Sequence, residues 1–181
     1  MNIFYVHSDP VICAQQHVDK HVVKMILEYA QLLSTAHRFL DGVETIGKSK
    51  TGRKATRWVL SDEREGVLYK ASHINHPSAK WCRHSLANYQ FLFKLWIELM
   101  REYHYRYGKV HSSMRLAKHL KFPPTNIPVG EFSPPWRAMP DDYKVDRSEP
   151  DYTIKSYRAY YMGAKTSMFK WKNRPQPDWI V

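Results

Sequence analysis

Between Pro10 and Gly42 apolar residues recur with a helical period, and the polar residues that interrupt them fall in a line. In HVDKHVVKMILEYAQ, residues 17–31, a turn of about 100° per residue puts His17, His21, Lys24, Glu28 and Gln31 on one narrow stripe, with Lys20 at its edge. Val18, Val22, Val23, Met25, Ile26, Leu27, Tyr29, Ala30, Leu32 and Leu33 cover the rest of the circumference. This predicts a helix buried on several sides, with the ionisable stripe facing a cleft or a buried network. Buried charge is costly unless paired. The stripe therefore either satisfies itself, as Lys24 with Glu28 at i,i+4 would do in part, or does chemistry.

The same patterning divides the rest of the chain. Residues 2–6 read as a short buried strand or extended lead-in stopped by Ser8, Asp9 and Pro10. Asp9 is placed to cap a helix that starts at Pro10 and that Gly42 ends, spanning about 10–40. Residues 43–57 read as a mobile basic loop. Ser61, Asp62 and Glu63 open a helix expected to reach His73, broken by HINHPSAKW at Pro77. A long amphipathic helix follows from Ser78 or Ser85 to Tyr107, with Leu86, Tyr89, Leu92, Phe93, Trp96, Leu99, Met100 and Tyr103 inward and Gly108 as terminator. A short basic helix is expected over 112–121. Residues 122–150 hold seven of the eleven prolines and no helical period. Their anchors Phe122, Ile127, Phe132, Trp136 and Met139 point to a loop that wraps the surface. Asp151 is placed to cap a last helix over 151–170 that mixes tyrosines with lysines and arginine. The expectation is a mainly α, single-domain helical bundle over 1–181: a helical core (1–121), a Pro-rich wrapping loop (122–150) and a C-terminal aromatic and basic helix with its tail (151–181).

Charge adds a partner class. The chain carries 28 Lys and Arg against 17 Asp and Glu, a formal net charge of +11, which favours polyanions: DNA or RNA first, with an acidic protein partner as the alternative. Lys48, Lys50, Arg53, Lys54 and Arg57 in the basic loop, with Arg83 and with Lys155, Arg158 and Lys165 of the last helix, are the candidate nucleic-acid contacts. Interleaved aromatics suit base stacking. Two cysteines, Cys13 and Cys82, are too few for a disulfide framework, which suggests a reducing cytoplasm. MNIFYV starts no signal peptide, and no membrane contact is expected.

The candidate chemistry centres on the stripe. His17, Asp19 and His21 invite a metal reading, but Asp19 sits about 200° from His17, so only the histidines share a face. His73 or His76 would have to complete such a site, and neither a metal nor a cofactor is expected. The alternative is an amine. A lysine held in an apolar face has its pKa lowered, which frees it to attack an aldehydic sugar carbon as a Schiff-base nucleophile. Lys24 fits, with Lys20 as the alternative; Glu28 would accept a proton or stabilise a cationic sugar, and His17 or His21 would shuttle protons. Asn75 and His76 sit at a helix break, where polar groups are available to a ligand or merely cap the turn. The chain has no P-loop, dinucleotide fingerprint, nucleophile elbow or HExxH, which removes support from the common NTPase, Rossmann, hydrolase and zincin classes.

Asn2 to Arg38, with HINHPSAKW, ANYQFLFKLW, RYGKVH, NIPVG, AMPDDYK and SYRAYYMGAKTSMFKW, resembles a widespread family of small tailed-phage proteins. That resemblance implies a phage origin and an infected-cell cytoplasm. AQQH at Ala14–His17 and the helix NYQFLFKLWIELMREYHYRYG are also similar to segments of pyrimidine-dimer DNA glycosylases of the phage endonuclease V type, compact helical enzymes that excise damaged bases through a Schiff base. The similarity implies an active-site role for His17. Two departures stand out: those enzymes use the amine uncovered by loss of the first Met, for which Asn2 is a poor context, and Lys24 stands near where their Glu is expected. The readings taken forward are an enzyme acting on DNA bases or sugars, a non-catalytic binder of host or phage machinery, and a base-hypermodifying enzyme.

Overall fold

The computed structural model describes residues 1–48 and 51–181. Ile3 to Val6 run extended through the core, and Asp9 Oδ1 then accepts from the amides of Val11 and Ile12 at 2.8 and 3.0 Å to start α1 (Pro10–Gln16). The single first helix expected from the sequence is two. His17 and Val18 are extended, and α2 (Asp19–Asp41) follows. The break is held by a residue far along the chain: Arg106 donates to the carbonyls of Gln15 and His17 at 2.7 and 2.9 Å and pairs with Asp19 at 2.9 Å. A guanidinium thus takes α1's terminal carbonyls, which a continuing helix would have used internally.

The expected basic loop is a β-hairpin. Strands β1 (Val43–Lys48) and β2 (Lys54–Val59) pair antiparallel with Val43 opposite Val59 and Lys48 opposite Lys54. Period-2 alternation was masked there because both faces are largely solvated. Gly42 is required where β2 folds back on the end of α2: a Cβ there would lie 2.5 Å from the Arg38 carbonyl oxygen. Arg38 itself is buried and spends all five N–H donors, on the carbonyls of Trp58, Glu65, Leu68 and Tyr69 and on the Glu65 carboxylate. That clamp fixes the segment expected to be helical to His73. Only α3 (Arg64–Val67) forms, since the carbonyls that a longer helix would need are turned toward Arg38.

Helix α4 (Pro77–Cys82) starts at Pro77 with His76 as its cap, and α5 (Leu86–Tyr107) starts at Ser85 and ends at Gly108, whose φ of 64° suits glycine. Leu92, Leu95, Trp96 and Leu99 of α5 pack on α2, and the Trp96 indole donates to the Ile26 carbonyl at 2.9 Å. The basic stretch at 112–121 is a 3-10 turn (Ser112–Leu116) followed by α6 (Ala117–Leu120). The Pro-rich loop wraps as expected. Asn88 and Ser85 hold Ser133 and Glu131, Trp81 donates to the Ser133 carbonyl, and Asp41 takes the amides of Thr125 and Asn126. The last helix, α7 (Tyr152–Ala164), is shorter than expected. Asp151 stands at its cap position with φ 55°, and its side chain makes no capping bond. The architecture is mainly α, with one two-stranded sheet among the described residues.

Candidate functional site

The stripe divides. His17, at the α1–α2 break, is fully buried. Its Nδ1 lies 2.6 Å from the Cys13 carbonyl, which only accepts, so the proton sits on Nδ1 and Nε2 faces the Tyr29 hydroxyl at 3.3 Å. Burial, above all, pushes its pKa down to about 4. His17 is thus a neutral strut of the core and lines no cleft. Asp19, across the helix, serves Arg106 and the Lys172 amide.

Lys20, His21, Lys24 and Glu28 meet at a cleft of about 360 Å³, whose lining also includes Met1, Asn2, Phe4, Tyr160 and Lys165 but not Gln31. Helical spacing on α2 sets Lys20, His21, Lys24 and Glu28 along its wall, the extended lead-in supplies Met1, Asn2 and Phe4, and α7 closes the far side. His21 stacks on Phe4 with centroids 4.1 Å apart and holds the Tyr161 hydroxyl at 2.7 Å through Nδ1. Desolvation first, then the charges of His17, Lys165 and Lys24, push its pKa down to about 3, so its imidazole is neutral at physiological pH.

Glu28 is the one carboxylate of the cleft lining, and its side chain is only 15% exposed. Lys24 Nζ stands 3.3 Å from it and the Met1 backbone nitrogen 4.0 Å away. Lys20 and Lys165 add positive charge, the latter 4.7 Å from the centre of the Tyr160 ring. The expectation of a desolvated Lys24 is corrected: its side chain is 67% exposed, because Val23 and Leu27 beside it are also solvated, at 42% and 40% exposure. Asn2 Oδ1, buried in the wall, has no hydrogen-bond partner among the described residues.

Asn75 and His76 do not line the cleft. His76 Nδ1 accepts from the Ser78 amide at 3.2 Å as the α4 cap, and Asn75 is exposed. The segment reaches the cleft through Ser78, whose hydroxyl donates to the Met1 carbonyl at 3.3 Å, and through the electrostatic interaction of His76 with Met1 and Glu28. Of the surface cations, Lys48, Lys54 and Arg57 sit on the hairpin, with Arg53 in its turn, and Lys50 lies outside the described residues. Arg83 is engaged inside the protein, donating to the Ile74 carbonyl at 2.8 Å and lying 4.1 Å from the Phe39 ring centre. Arg158 donates to the Val6 carbonyl at 3.0 Å, and Lys155 pairs with Glu149 at 2.9 Å. Neither Arg83 nor Arg158 is a free surface cation.

Sequence reasoning did not place Phe4 or Tyr160 at the site, since nothing in their spacing marks them; they join it because the lead-in and α7 cross α2. Among the described residues no group of three or more His, Cys, Asp or Glu could hold a metal ion, and no helix is long and apolar enough to cross a membrane. Comparison with protein-family models, with characterised proteins and with solved structures finds no match.

Proposed function

We propose that this chain binds nucleic acid and acts on a DNA base or its sugar in the cleft beside α2. The observation that carries the reading is Glu28, a partly buried carboxylate 3.3 Å from the Lys24 amine in a cleft whose other charged side chains are all positive. Such a cleft draws in an anionic strand. An amine beside a carboxylate is also the pair that imine chemistry at an aldehydic sugar carbon requires. Glu28 takes a proton from the ammonium, the free amine nitrogen bonds to the aldehydic C1′, one N–H proton moves to the former carbonyl oxygen, and Glu28 returns its proton to that hydroxyl, which leaves as water to give the iminium. Neutral His21 offers a second proton acceptor, and Asn2 Oδ1 an acceptor for a base N–H. Resemblance to tailed-phage proteins supports action in the host cytoplasm during infection, and the +11 charge supports a polyanionic substrate.

Incubation of the protein with modified, damaged and abasic DNA, read for base release, strand cleavage or mass change, tests the reading. Glu28→Gln is expected to lower turnover by about 100-fold or more while leaving DNA affinity within about threefold. Wild-type protein that binds DNA and leaves every substrate unchanged would convert the site into a binding surface for nucleic acid.

A further inference from the structure

A second cavity, of about 410 Å³, opens at the start of α7, lined in part by Trp136, Arg137, Lys144, Arg147, Tyr152 and Thr153. Three cations of the Pro-rich loop converge on it, and no Asp or Glu is in its lining. Arg137 is fixed by its bonds to the Val145 carbonyl and, at 3.2 Å, to Ser156 Oγ, with its guanidinium carbon 4.9 Å from the Tyr152 ring centre. Asp141 and Asp146 lie close enough to feel its charge, but neither forms an ion pair with it among the described residues. Arg147 is exposed and makes no ion pair or hydrogen bond among the described residues, while Lys144 is held by Asp141 at 2.6 Å. Two further features face the same space. Asp151 does not cap α7, so its first-turn amides are open, and Thr153, only 3% exposed, has a hydroxyl with no partner among the described residues. Trp136, 39% exposed, supplies an aromatic face at the rim.

We infer that this cavity binds the phosphate of a nucleotide, with Arg137, Arg147, the Thr153 hydroxyl and the α7 amides around the phosphate and Trp136 against the base. Two guanidinium groups without an ion pair among the described residues, a hydroxyl of the cavity lining with no protein partner among them and a helix start all favour one tetrahedral anion, and the indole favours a planar group attached to it. The inference rests on the nucleic-acid reading above and deepens it, because elements that border the two cavities touch. Pro77 lines this one, while its neighbour Ser78 bonds Met1 of the other; the Tyr143 ring of the Pro-rich loop lies 5.2 Å from that of Tyr160. A strand with its reacting nucleotide beside Glu28 would rest a neighbouring phosphate here.

Titration of the full chain with thymidine 5′-monophosphate, thymidine, inorganic phosphate and a fluorescent oligothymidylate tests this. Tryptophan emission is expected to be quenched by the monophosphate and not by thymidine, and Trp136→Phe is expected to remove the quench. Arg147→Glu, at an exposed position, is expected to weaken the monophosphate or the oligonucleotide about tenfold with unchanged Tm; Thr153→Val weakens them in the same direction. Sensitivity of the oligonucleotide alone assigns the phosphate to a strand, and sensitivity of both extends it to free nucleotides. If both ligands bind Arg147→Glu and Thr153→Val as they bind wild type, or neither binds wild type at low salt, the inference is overturned. Loss of catalysis in Glu28→Gln with these affinities intact would uphold the reading of the first cleft independently, and sensitivity to Arg147→Glu without any base chemistry would uphold the second cavity alone.

Discussion

Replacing Arg106 by Leu removes the tie that breaks the first helix and thereby sets the cleft wall. The guanidinium is fully buried; it pairs with Glu102 at 3.0 Å and Asp19 at 2.9 Å, and donates to the carbonyls of Gln15 and His17. Removing one partner of a buried ion pair costs about 3–5 kcal/mol because the other charge is left uncompensated. Here the lower end applies. Arg174 still pairs with Glu102 at 2.6 Å, and Asp19 keeps the Lys172 amide at 3.0 Å. About 3 kcal/mol corresponds to a Tm lower by roughly 6–12 °C in a domain of this size. Arg106→Lys restores one charge but not the fork, so it should fall between. Thermal unfolding followed by circular dichroism measures both, and hydrogen exchange should show residues 15–21 exchanging faster in Arg106→Leu. A Tm within about 2 °C of wild type for Arg106→Leu would refute the role of this side chain in holding the break.

The other predictions are independent of that tie. His17 is neutral when buried, with its pKa near 4, so between the unfolded value near 6.5 and that pKa the unfolded chain binds the extra proton and stability falls as pH falls; the loss is of the order of 2 kcal/mol by pH 5. His17→Gln should make that slope shallower in unfolding curves taken from pH 7 to 5 without abolishing it, because burial holds His21 and His37 neutral in the same way, and an unchanged slope would assign the effect to them. Gly42→Ala should destabilise by about 1–3 kcal/mol, read by urea unfolding, since its Cβ meets the Arg38 carbonyl and the returning β2 backbone. DNA affinity should fall steeply with salt, and charge reversal of the exposed Lys48 and Lys54 should lower both affinity and the salt slope; an affinity independent of salt removes the nucleic-acid reading.

Helices were legible where one face is buried over several turns: α2 and α5 follow from their spacing, Ser85 and Gly108 mark the ends of α5, and the Pro-rich loop follows from its prolines and aromatic anchors. What the spacing could not show depends on contacts distant in sequence. The break at His17 needs Arg106, 89 positions on, and the short α3 needs the Arg38 clamp. The hairpin carries no buried alternation to betray it. Lys20, His21, Lys24 and Glu28 line one cleft, since a helix fixes their common face. The periodicity of the stripe extended one residue group too far, to His17, because period alone does not see where a helix stops. Burial of Lys24 was also beyond reach: whether Val23 and Leu27 are covered depends on which elements cross α2.

The central claim, that an amine beside Glu28 does covalent chemistry at a sugar carbon, is tested most directly by borohydride reduction in the presence of abasic DNA. Reduction fixes an imine that otherwise hydrolyses. Proteolysis and mass spectrometry of the trapped complex then locate the adduct. The account predicts a trapped species with the adduct on Lys24, the side-chain amine that faces Glu28, with Lys24→Ala, Lys20→Ala and Glu28→Gln separating the contributions. No trapped species from folded, DNA-binding wild-type protein, or an adduct confined to lysines of the hairpin, would contradict it.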